Sequence, residues 1–127
     1  MIMSRRLSRC FNVNDLRKAA KRRLPESLFA YIDGGSDDER TLRGNTSAFD
    51  QYDLLQRALV DVSTIDLSTT VLGQKIDWPV LCAPTGMTRM FHYQGEKAVA
   101  REAALSGTFY SLSTLATTSI EAVGAET

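Results

Sequence analysis

The fold of this chain is decided by one segment, Pro79-Val80-Leu81-Cys82-Ala83-Pro84-Thr85-Gly86. Its first five residues are apolar and predict a fully buried strand. The strand ends in a Pro-Thr-Gly turn with free backbone N–H groups, and Gly86 lacks the Cβ that would keep a planar ligand away. The segment therefore predicts a core strand that ends at a binding site.

The residues that follow repeat the order of a strand and a helix. An alanine-rich helix is predicted over 95–106, ended by Gly107, and a second strand over 108–112. That strand ends at Ser113-Thr114, and Thr118-Ser119-Ile120-Glu121 forms a capping box that opens a further helix. This order predicts parallel pairing, with both strand ends at the rim where (β/α) folds build cofactor sites.

Three helices are predicted before the first strand. The cap residues Asn12-Val13-Asn14-Asp15 open the first helix, which Leu24-Pro25 interrupts. Pro25 opens the second helix, and Gly34-Gly35 stop it as residues suited to a left-handed end. Ser36-Asp37-Asp38-Glu39 is a capping box that opens a third helix running toward Phe49.

A small hairpin is expected between the helices and the first strand. Residues 69–72 and 75–76 would pair across a two-residue turn at Gly73-Gln74. We therefore expect one domain over 1–127 with three parts: leading helices over 12–51, short strands and the hairpin over 52–78, and the first strand–helix units over 79–127.

The predicted fold class is α/β, namely the N-terminal part of a (β/α)8 TIM barrel preceded by helices and a small hairpin. A closed barrel of this kind typically needs ~250 residues. After Trp78 the sequence has room for about one and a half strand–helix units of the usual size. The barrel is therefore expected to be incomplete in this chain, which we interpret as a fragment.

Composition restricts the function and the compartment. The 15 basic and 15 acidic residues cancel, which argues against a nucleic-acid partner. The sequence has neither a metal-ligand spacing nor a disulfide framework, since its two cysteines are Cys10 and Cys82. No apolar run approaches the ~20 residues of a membrane-spanning helix. These features predict a cytoplasmic protein without a metal site.

Positive charge is concentrated near the N-terminus. Eight basic residues fall within the first 23 positions: Arg5, Arg6, Arg9, Arg17, Lys18, Lys21, Arg22 and Arg23. A solvated helix face is the ordinary interpretation of such a cluster. A targeting role, or peripheral contact with a membrane such as the inner membrane, is the alternative.

Motifs along nearly the whole chain resemble those of the FMN-dependent α-hydroxy-acid dehydrogenase and oxidase family. They are Leu24-Pro25, Tyr31-Ile32-Asp33-Gly34-Gly35, Thr41-Leu42 with Asn45, Leu59-Val60-Asp61-Val62, Ala83-Pro84-Thr85-Gly86, Gly95-Glu96 and Leu112-Ser113-Thr114. Each motif is weak alone, but their order and spacing are specific. The resemblance implies an FMN enzyme that oxidises a small (S)-2-hydroxy acid to the 2-oxo acid.

The resemblance also implies roles for particular residues. Pro84, Thr85 and Gly86 would line the isoalloxazine ring, with the Gly86 N–H facing flavin N5, and Ser113 would hydrogen-bond the pyrimidine edge. Tyr31 would donate its phenol hydrogen to the substrate carboxylate. Without the resemblance, the first three residues form a strand-ending turn, Ser113 is a strand-end cap, and Tyr31 is a core or helix-surface aromatic.

The base and main anion anchor of the family lie in a His-Gly-Gly-Arg-type segment that this sequence lacks. The one histidine is His92, which stands in a different motif, and we expect it to have a loop or helix-start role. No catalytic residue is therefore assigned within this chain.

Leu115 stands where glycolate oxidases carry a bulky aromatic residue. Its smaller side chain favours L-lactate or larger acids, as in cytochrome-linked L-lactate dehydrogenases and mandelate dehydrogenases. The resemblance implies a full-length homo-oligomer that passes electrons to a quinone, a cytochrome or oxygen. Two alternatives stay open, a non-catalytic interaction module derived from the barrel opening and a different barrel enzyme with similar phosphate-binding loops.

Overall fold

The computed structural model describes residues 7–127, which form two compact units divided between Gln56 and Arg57. The first unit contains 3-10 turns at Leu7–Arg9 and Ala48–Gln51 and helices α1 (Val13–Lys21), α2 (Glu26–Asp33) and α3 (Arg40–Ser47). The second contains strands β1 (Thr69–Val71) and β2 (Gln74–Ile76), a 3-10 turn at Thr88–Met90, and helices α4 (Gly95–Leu105) and α5 (Ile120–Gly124). Arg5 and Arg6 of the basic cluster lie outside the described residues.

The first two helices begin where the sequence predicts. Asn12 caps α1, since its side-chain oxygen accepts a hydrogen bond from the Asp15 N–H at 2.9 Å. Pro25 immediately precedes α2, as expected. The left-handed end predicted at Gly34 is wrong, because this residue has φ −87° and ψ 162° and leaves the helix in an extended conformation. Its N–H still donates to the Ala30 carbonyl at 3.0 Å.

The predicted capping box at residues 36–39 is also wrong. These residues form a turn closed by the Glu39 N–H and the Ser36 carbonyl at 2.9 Å, and α3 begins only at Arg40. Glu39 is left-handed, with φ 55°, and its carboxylate accepts from the Gly35 N–H at 3.1 Å. The Glu39 carboxylate therefore binds the backbone between α2 and α3 and does not cap α3. The third helix itself is confirmed, and its 3-10 extension reaches Gln51.

Basic side chains of α1 contact residues of α2. Arg17 forms a bidentate ion pair with Asp33, in which Nη2 donates to Oδ2 at 2.7 Å. Lys21 Nζ lies 5.8 Å from the centroid of the buried Phe29 ring. Lys18 lies within ion-pair distance of an acidic residue on its own helix. Three cations of the basic cluster are therefore used inside the first unit.

The expected hairpin is present with its turn displaced by one residue. Strands β1 and β2 are antiparallel, with Val71 opposite Gln74. Leu72 and Gly73 form the turn and have φ of 50° and 80°. Two positive φ values are typical of the tight turn that matches strand twist, and glycine tolerates the second one without strain. The turn predicted at Gly73-Gln74 is therefore wrong by one position.

The two barrel segments pair in parallel, as predicted, but only briefly. The Cys82 N–H donates to the Phe109 carbonyl at 2.9 Å, and the Ser111 N–H donates to the Cys82 carbonyl at 3.0 Å. This bridge replaces the full strands predicted over 79–83 and 108–112. Val80 and Leu81 are 49% and 45% exposed, so the fully buried strand is also wrong for this structure. Burial needs neighbours on both edges and faces, and residues 7–127 supply one paired neighbour here.

Helix α4 ends against the segment that precedes the first barrel strand. Gly107 follows the helix in the left-handed conformation, with φ 65°, as expected for a helix-ending glycine. The Asp77 N–H donates to the Gly107 carbonyl at 3.0 Å, and Trp78 Nε1 donates to the Ser106 carbonyl at 2.7 Å. These bonds fix the helix end beside the start of the paired segments.

Helix α5 forms as predicted but with a different cap. Ser119 is its N-cap, and Oγ accepts from the Ala122 N–H at 3.3 Å. The predicted capping box required Thr118 in this role. Thr118 instead donates its hydroxyl to Glu96 at 2.7 Å, so a contact distant in sequence replaces the local one.

Candidate functional site

The two segments predicted to hold a cofactor lie against each other in the second unit. The Met87 N–H donates to the Leu115 carbonyl at 2.9 Å. A Cβ built on Gly86 would lie 2.9 Å from Leu115 Cβ and 3.6 Å from Ser113 Oγ. The structure thus brings Gly86 and Ser113 together at one edge, which we call the rim and define as residues 84–87 and 113–115.

The reason for glycine at position 86 differs from the one the sequence suggested. The sequence points to a ligand that needs close approach, whereas the missing side chain would point at Leu115 of the neighbouring segment. A contact below 3.0 Å forces one of the two segments to shift. Gly86 is therefore required, first of all, so that residues 84–87 can pack against residues 113–115.

The rim presents hydrogen-bond donors. Ser113 Oγ accepts from the Leu115 N–H at 3.1 Å, which leaves its own proton available for an acceptor. Within residues 7–127 the N–H groups of Thr85 and Gly86 have no hydrogen-bond acceptor. Pro84 and Thr85 are exposed. Free donors beside a small turn suit a flat ligand with acceptor atoms along its edge.

A buried carboxylate, Glu96, lies at the start of α4. Its side chain is fully buried, and it accepts the Thr117 N–H at 2.8 Å. The Thr117 hydroxyl lies 2.9 Å from both carboxylate oxygens, and the Thr118 hydroxyl lies 2.7 Å from Oε2. Sequence reasoning counted Glu96 only as part of a family motif and gave it no role.

Glu96 is a strong acid in this environment. Burial raises the pKa of its carboxyl, but hydrogen bonds donated by Thr117 and Thr118 outweigh burial and lower the pKa to about 2. The side chain is therefore an anion at neutral pH. Within the described part of the chain no cationic side chain pairs with it.

Two further polar groups share this interior. Among the described residues, the Tyr110 hydroxyl is buried without a hydrogen-bond partner. The buried Thr88 hydroxyl contributes to lowering the pKa of Glu96. Burial raises the pKa of the Tyr110 phenol, and the nearby charge of Glu96 raises it further. Tyr110 thus remains a neutral donor well above neutral pH.

Tyr31 and His92 are not members of the rim or of the buried cluster around Glu96. Tyr31 is on α2 of the first unit and is 63% exposed, and the rim belongs to the second unit. His92 is exposed before α4, where Nδ1 accepts the Gln94 N–H at 3.3 Å and the ring lies 4.7 Å from the Tyr93 ring. This geometry agrees with the helix-start role expected of His92.

Comparison with known proteins identifies the family. Residues 20–127 match the family described as FMN-dependent dehydrogenase. The chain belongs to the FMN-dependent dehydrogenase family. It is 44% identical over 112 residues to glycolate oxidase of Spinacia oleracea and 45% identical to a peroxisomal (S)-2-hydroxy-acid oxidase of Oryza sativa. These alignments cover 88% of this chain but 30% and 31% of the two relatives.

Solved structures of similar proteins support the same family assignment. The (S)-mandelate dehydrogenase of Pseudomonas putida matches with a TM-score of 0.86, 38% identity and coverage of 91% of this chain and 33% of that protein. A lactate oxidase of Pediococcus acidilactici matches with a TM-score of 0.86, 35% identity and coverage of 92% and 33%. The expected α/β class, an incomplete TIM barrel, is confirmed, and the chain spans about a third of the length of these relatives.

The residues of the rim fit the cofactor of the FMN-dependent dehydrogenase family. An isoalloxazine ring carries acceptor atoms along its pyrimidine edge and at N5, and the rim supplies a hydroxyl proton at Ser113 and free N–H groups at Thr85 and Gly86. Within residues 7–127 no helix is long and apolar enough to cross a membrane.

Proposed function

We propose that this chain supplies the first part of an FMN enzyme that oxidises an (S)-2-hydroxy acid to the 2-oxo acid. The observation that carries the proposal is the packing of Gly86 against Ser113 and Leu115, which gathers the predicted cofactor donors at one rim. The family match over residues 20–127 supports FMN as the ligand of that rim. The activities named for the relatives support the substrate class.

The proposed cofactor contacts follow from the rim's donors. Pro84, Thr85 and Gly86 line one side of the isoalloxazine ring, and the Gly86 N–H faces N5. Ser113 donates its free hydroxyl proton to an oxygen or nitrogen of the pyrimidine edge. When bound, FMN supplies the electron-accepting chemistry. The chain's residues hold the ring in place and keep its edge hydrogen-bonded.

Tyr31 is proposed to bind the substrate carboxylate through its phenol hydrogen. A hydrogen bond to a charged group contributes ~1.5–3 kcal/mol, enough to orient a small acid. Within this sequence the one histidine, His92, has its Nδ1 directed to the backbone before α4. The proposal therefore assigns no base to this chain, and removal of the hydroxyl proton is assigned to a residue outside it.

L-Lactate is the proposed substrate. Leu115 is 64% exposed and lies beside Gly86, so its side chain borders the space above the rim. A leucine leaves more room than an aromatic residue for the substituent on the substrate's Cα. The similarity to glycolate oxidases makes glycolate the necessary comparison substrate.

The electron acceptor is proposed to be a quinone, a cytochrome or oxygen, and the full enzyme a cytoplasmic homo-oligomer. Peripheral attachment to a membrane is part of the proposal as an alternative location. It is supported by a similar structure described as a monotopic membrane protein, (S)-mandelate dehydrogenase, which is 36% identical with a TM-score of 0.87.

The test is to purify the holoenzyme that carries this chain and to mix it anaerobically with L-lactate, D-lactate, glycolate or (S)-mandelate. We expect one FMN per subunit, bleaching of the flavin absorption by the (S)-acids and the highest kcat/KM with L-lactate. D-Lactate is the control and should leave the flavin oxidised. A purified protein that retains no FMN would overturn the proposal and favour an interaction module, whereas higher efficiency with glycolate would overturn only the choice of L-lactate.

A further inference from the structure

Glu96, in the first turn of helix α4, is hydrogen-bonded to the residues that follow the rim. It is the largest fully buried side chain among the described residues, and the hydroxyls of Thr117 and Thr118 contact its carboxylate at 2.7–2.9 Å. Four contacts of 2.7–2.9 Å join its carboxylate to these two residues, which lie 21 and 22 positions away in sequence. The carboxylate therefore ties one short segment to the start of the helix.

The tied segment continues directly into the rim. Thr117 follows Leu115 by two positions, and the Leu115 carbonyl accepts the Met87 N–H at 2.9 Å. The Ala116 N–H donates to the Ser113 carbonyl at 3.0 Å, so the turn between Ser113 and Thr117 is itself hydrogen-bonded. A displacement of Thr117 would consequently move Leu115 and Ser113 relative to Gly86.

The hydrogen bonds of Glu96 depend on its negative charge as well as on the shape of its side chain. Both of its oxygens accept hydrogen bonds, and one donor, the Thr117 N–H, cannot reverse its direction. A glutamine at this position could place its carbonyl oxygen toward that N–H. Its amide group would then face the Thr118 hydroxyl, which would have to turn and accept instead of donating.

We propose that Glu96 is a positioning residue for FMN: through Thr117 and Thr118 it holds Ser113 and Leu115 in register with Gly86. This inference rests on the proposed function, because it concerns how the same rim meets the flavin. Glu96 acts through other residues and makes no contact with the proposed ring site. Its effect is therefore expected in the flavin's environment as well as in stability.

The experiment compares four variants of the holoenzyme. Glu96→Gln keeps the shape of the side chain and removes its charge. Thr118→Val removes one donor, and Thr118→Ser restores that hydroxyl. Glu102→Gln is the matched control, because Glu102 is an exposed residue of the same helix. For each variant we would measure the Kd for FMN, the absorption spectrum and midpoint potential of the bound flavin, and thermal unfolding.

We expect Glu96→Gln to weaken FMN binding at least about tenfold, Thr118→Val to weaken it about threefold or more, and both to shift the flavin spectrum. Thr118→Ser and Glu102→Gln should stay within about twofold of the parent. If Glu96→Gln and Thr118→Val lowered the unfolding temperature but left the Kd, spectrum and potential unchanged, Glu96 would be only structural and the inference would be wrong. If the parent enzyme bound no FMN at all, the proposed function itself would fail.

Discussion

Substitution of Gly86 by alanine tests the close contact between the two segments of the rim. The new methyl group would lie 2.9 Å from Leu115 Cβ, 3.6 Å from the Leu115 carbonyl oxygen and 3.6 Å from Ser113 Oγ. Because Leu115 Cβ is fixed to the backbone, a rotation of the leucine side chain cannot relieve the first contact. The segment itself must move, and the 2.9 Å hydrogen bond from Met87 to the Leu115 carbonyl must lengthen or break.

The expected loss follows from these contacts. Overpacking by a methyl group typically destabilises a folded protein by ~1–3 kcal/mol, and each 1.4 kcal/mol corresponds to a factor of about ten in an equilibrium constant. The displaced Ser113 would also lose its alignment with Gly86. We therefore expect Gly86→Ala to lower the free energy of unfolding and to weaken FMN binding by about tenfold.

The assay is a double-mutant cycle in the holoenzyme, read by urea unfolding and by FMN titration. Leu115→Gly removes the atom that the new methyl group would meet, so the double variant should recover part of what Gly86→Ala loses. Gly124→Ala is the control, because a Cβ at Gly124 meets nothing within 4 Å. Additive effects in the cycle, or a Gly86→Ala protein with unchanged stability and FMN affinity, would refute the reasoning.

Three further predictions concern acid stability, a helix end and substrate binding. The pKa of Glu96 is lowered from 4.5 to about 2, so its carboxylate contributes stability above pH 4.5 that is lost as the pH falls toward 2. Glu96→Gln should remove this pH dependence in urea unfolding, and an unchanged profile between pH 4.5 and 2 would contradict it. Gly107→Ala should destabilise more than Gly73→Ala: both have positive φ, costing ~1–2 kcal/mol, but only the first would also bring a Cβ within 2.1 Å of Asp77 Oδ2. Equal losses in thermal unfolding would show that the Asp77 contact carries no cost. Tyr31→Phe in the holoenzyme should raise KM for L-lactate about tenfold and leave FMN bound, because it removes one hydrogen bond to a carboxylate. An unchanged KM would assign Tyr31 to packing alone.

Local signals in the sequence located most of the helices. The cap at Asn12 and the proline before α2 act on neighbouring backbone groups, so their effect can be predicted without the rest of the fold. The same reasoning failed at Glu39, because its carboxylate is used by the Gly35 N–H one turn earlier in the chain. A capping-box pattern in the sequence identifies a suitable side-chain acceptor, but it does not determine which backbone N–H will donate to that acceptor.

Burial of the barrel strand could not be predicted from its apolar residues. Val80 and Leu81 have the composition of a core strand, yet both are close to half exposed. An apolar segment is buried only when other elements cover it, and within residues 7–127 one parallel bridge pairs it with the next segment. The parallel direction was predictable because a helix connects the two segments.

The rim was predictable in part. Its two segments follow strand ends, which parallel (β/α) folds gather on one side, and Gly86 and Ser113 do lie together. Glu96 was not predictable in this way, since its four contacts bridge 21 and 22 residues and depend on tertiary packing. The available signal was an acidic residue in the first turn of a predicted helix together with the neighbouring hydroxyls of Thr117 and Thr118.

Gly86 and Glu96 both contact the segment 113–118, at different residues. Glu96 holds residues 117 and 118 by hydrogen bonds, while the absence of a side chain at Gly86 allows Leu115 to approach. A side chain at position 86 would strain the rim even with the Glu96 hydrogen bonds intact. Without those hydrogen bonds, residues 113–118 could shift even with glycine at position 86. Because both residues determine the position of one segment, their effects should be non-additive, unlike those of distant independent sites. In the proposed role of Glu96, the close approach at Gly86 and the hydrogen bonds of the buried carboxylate together position Ser113 for the flavin.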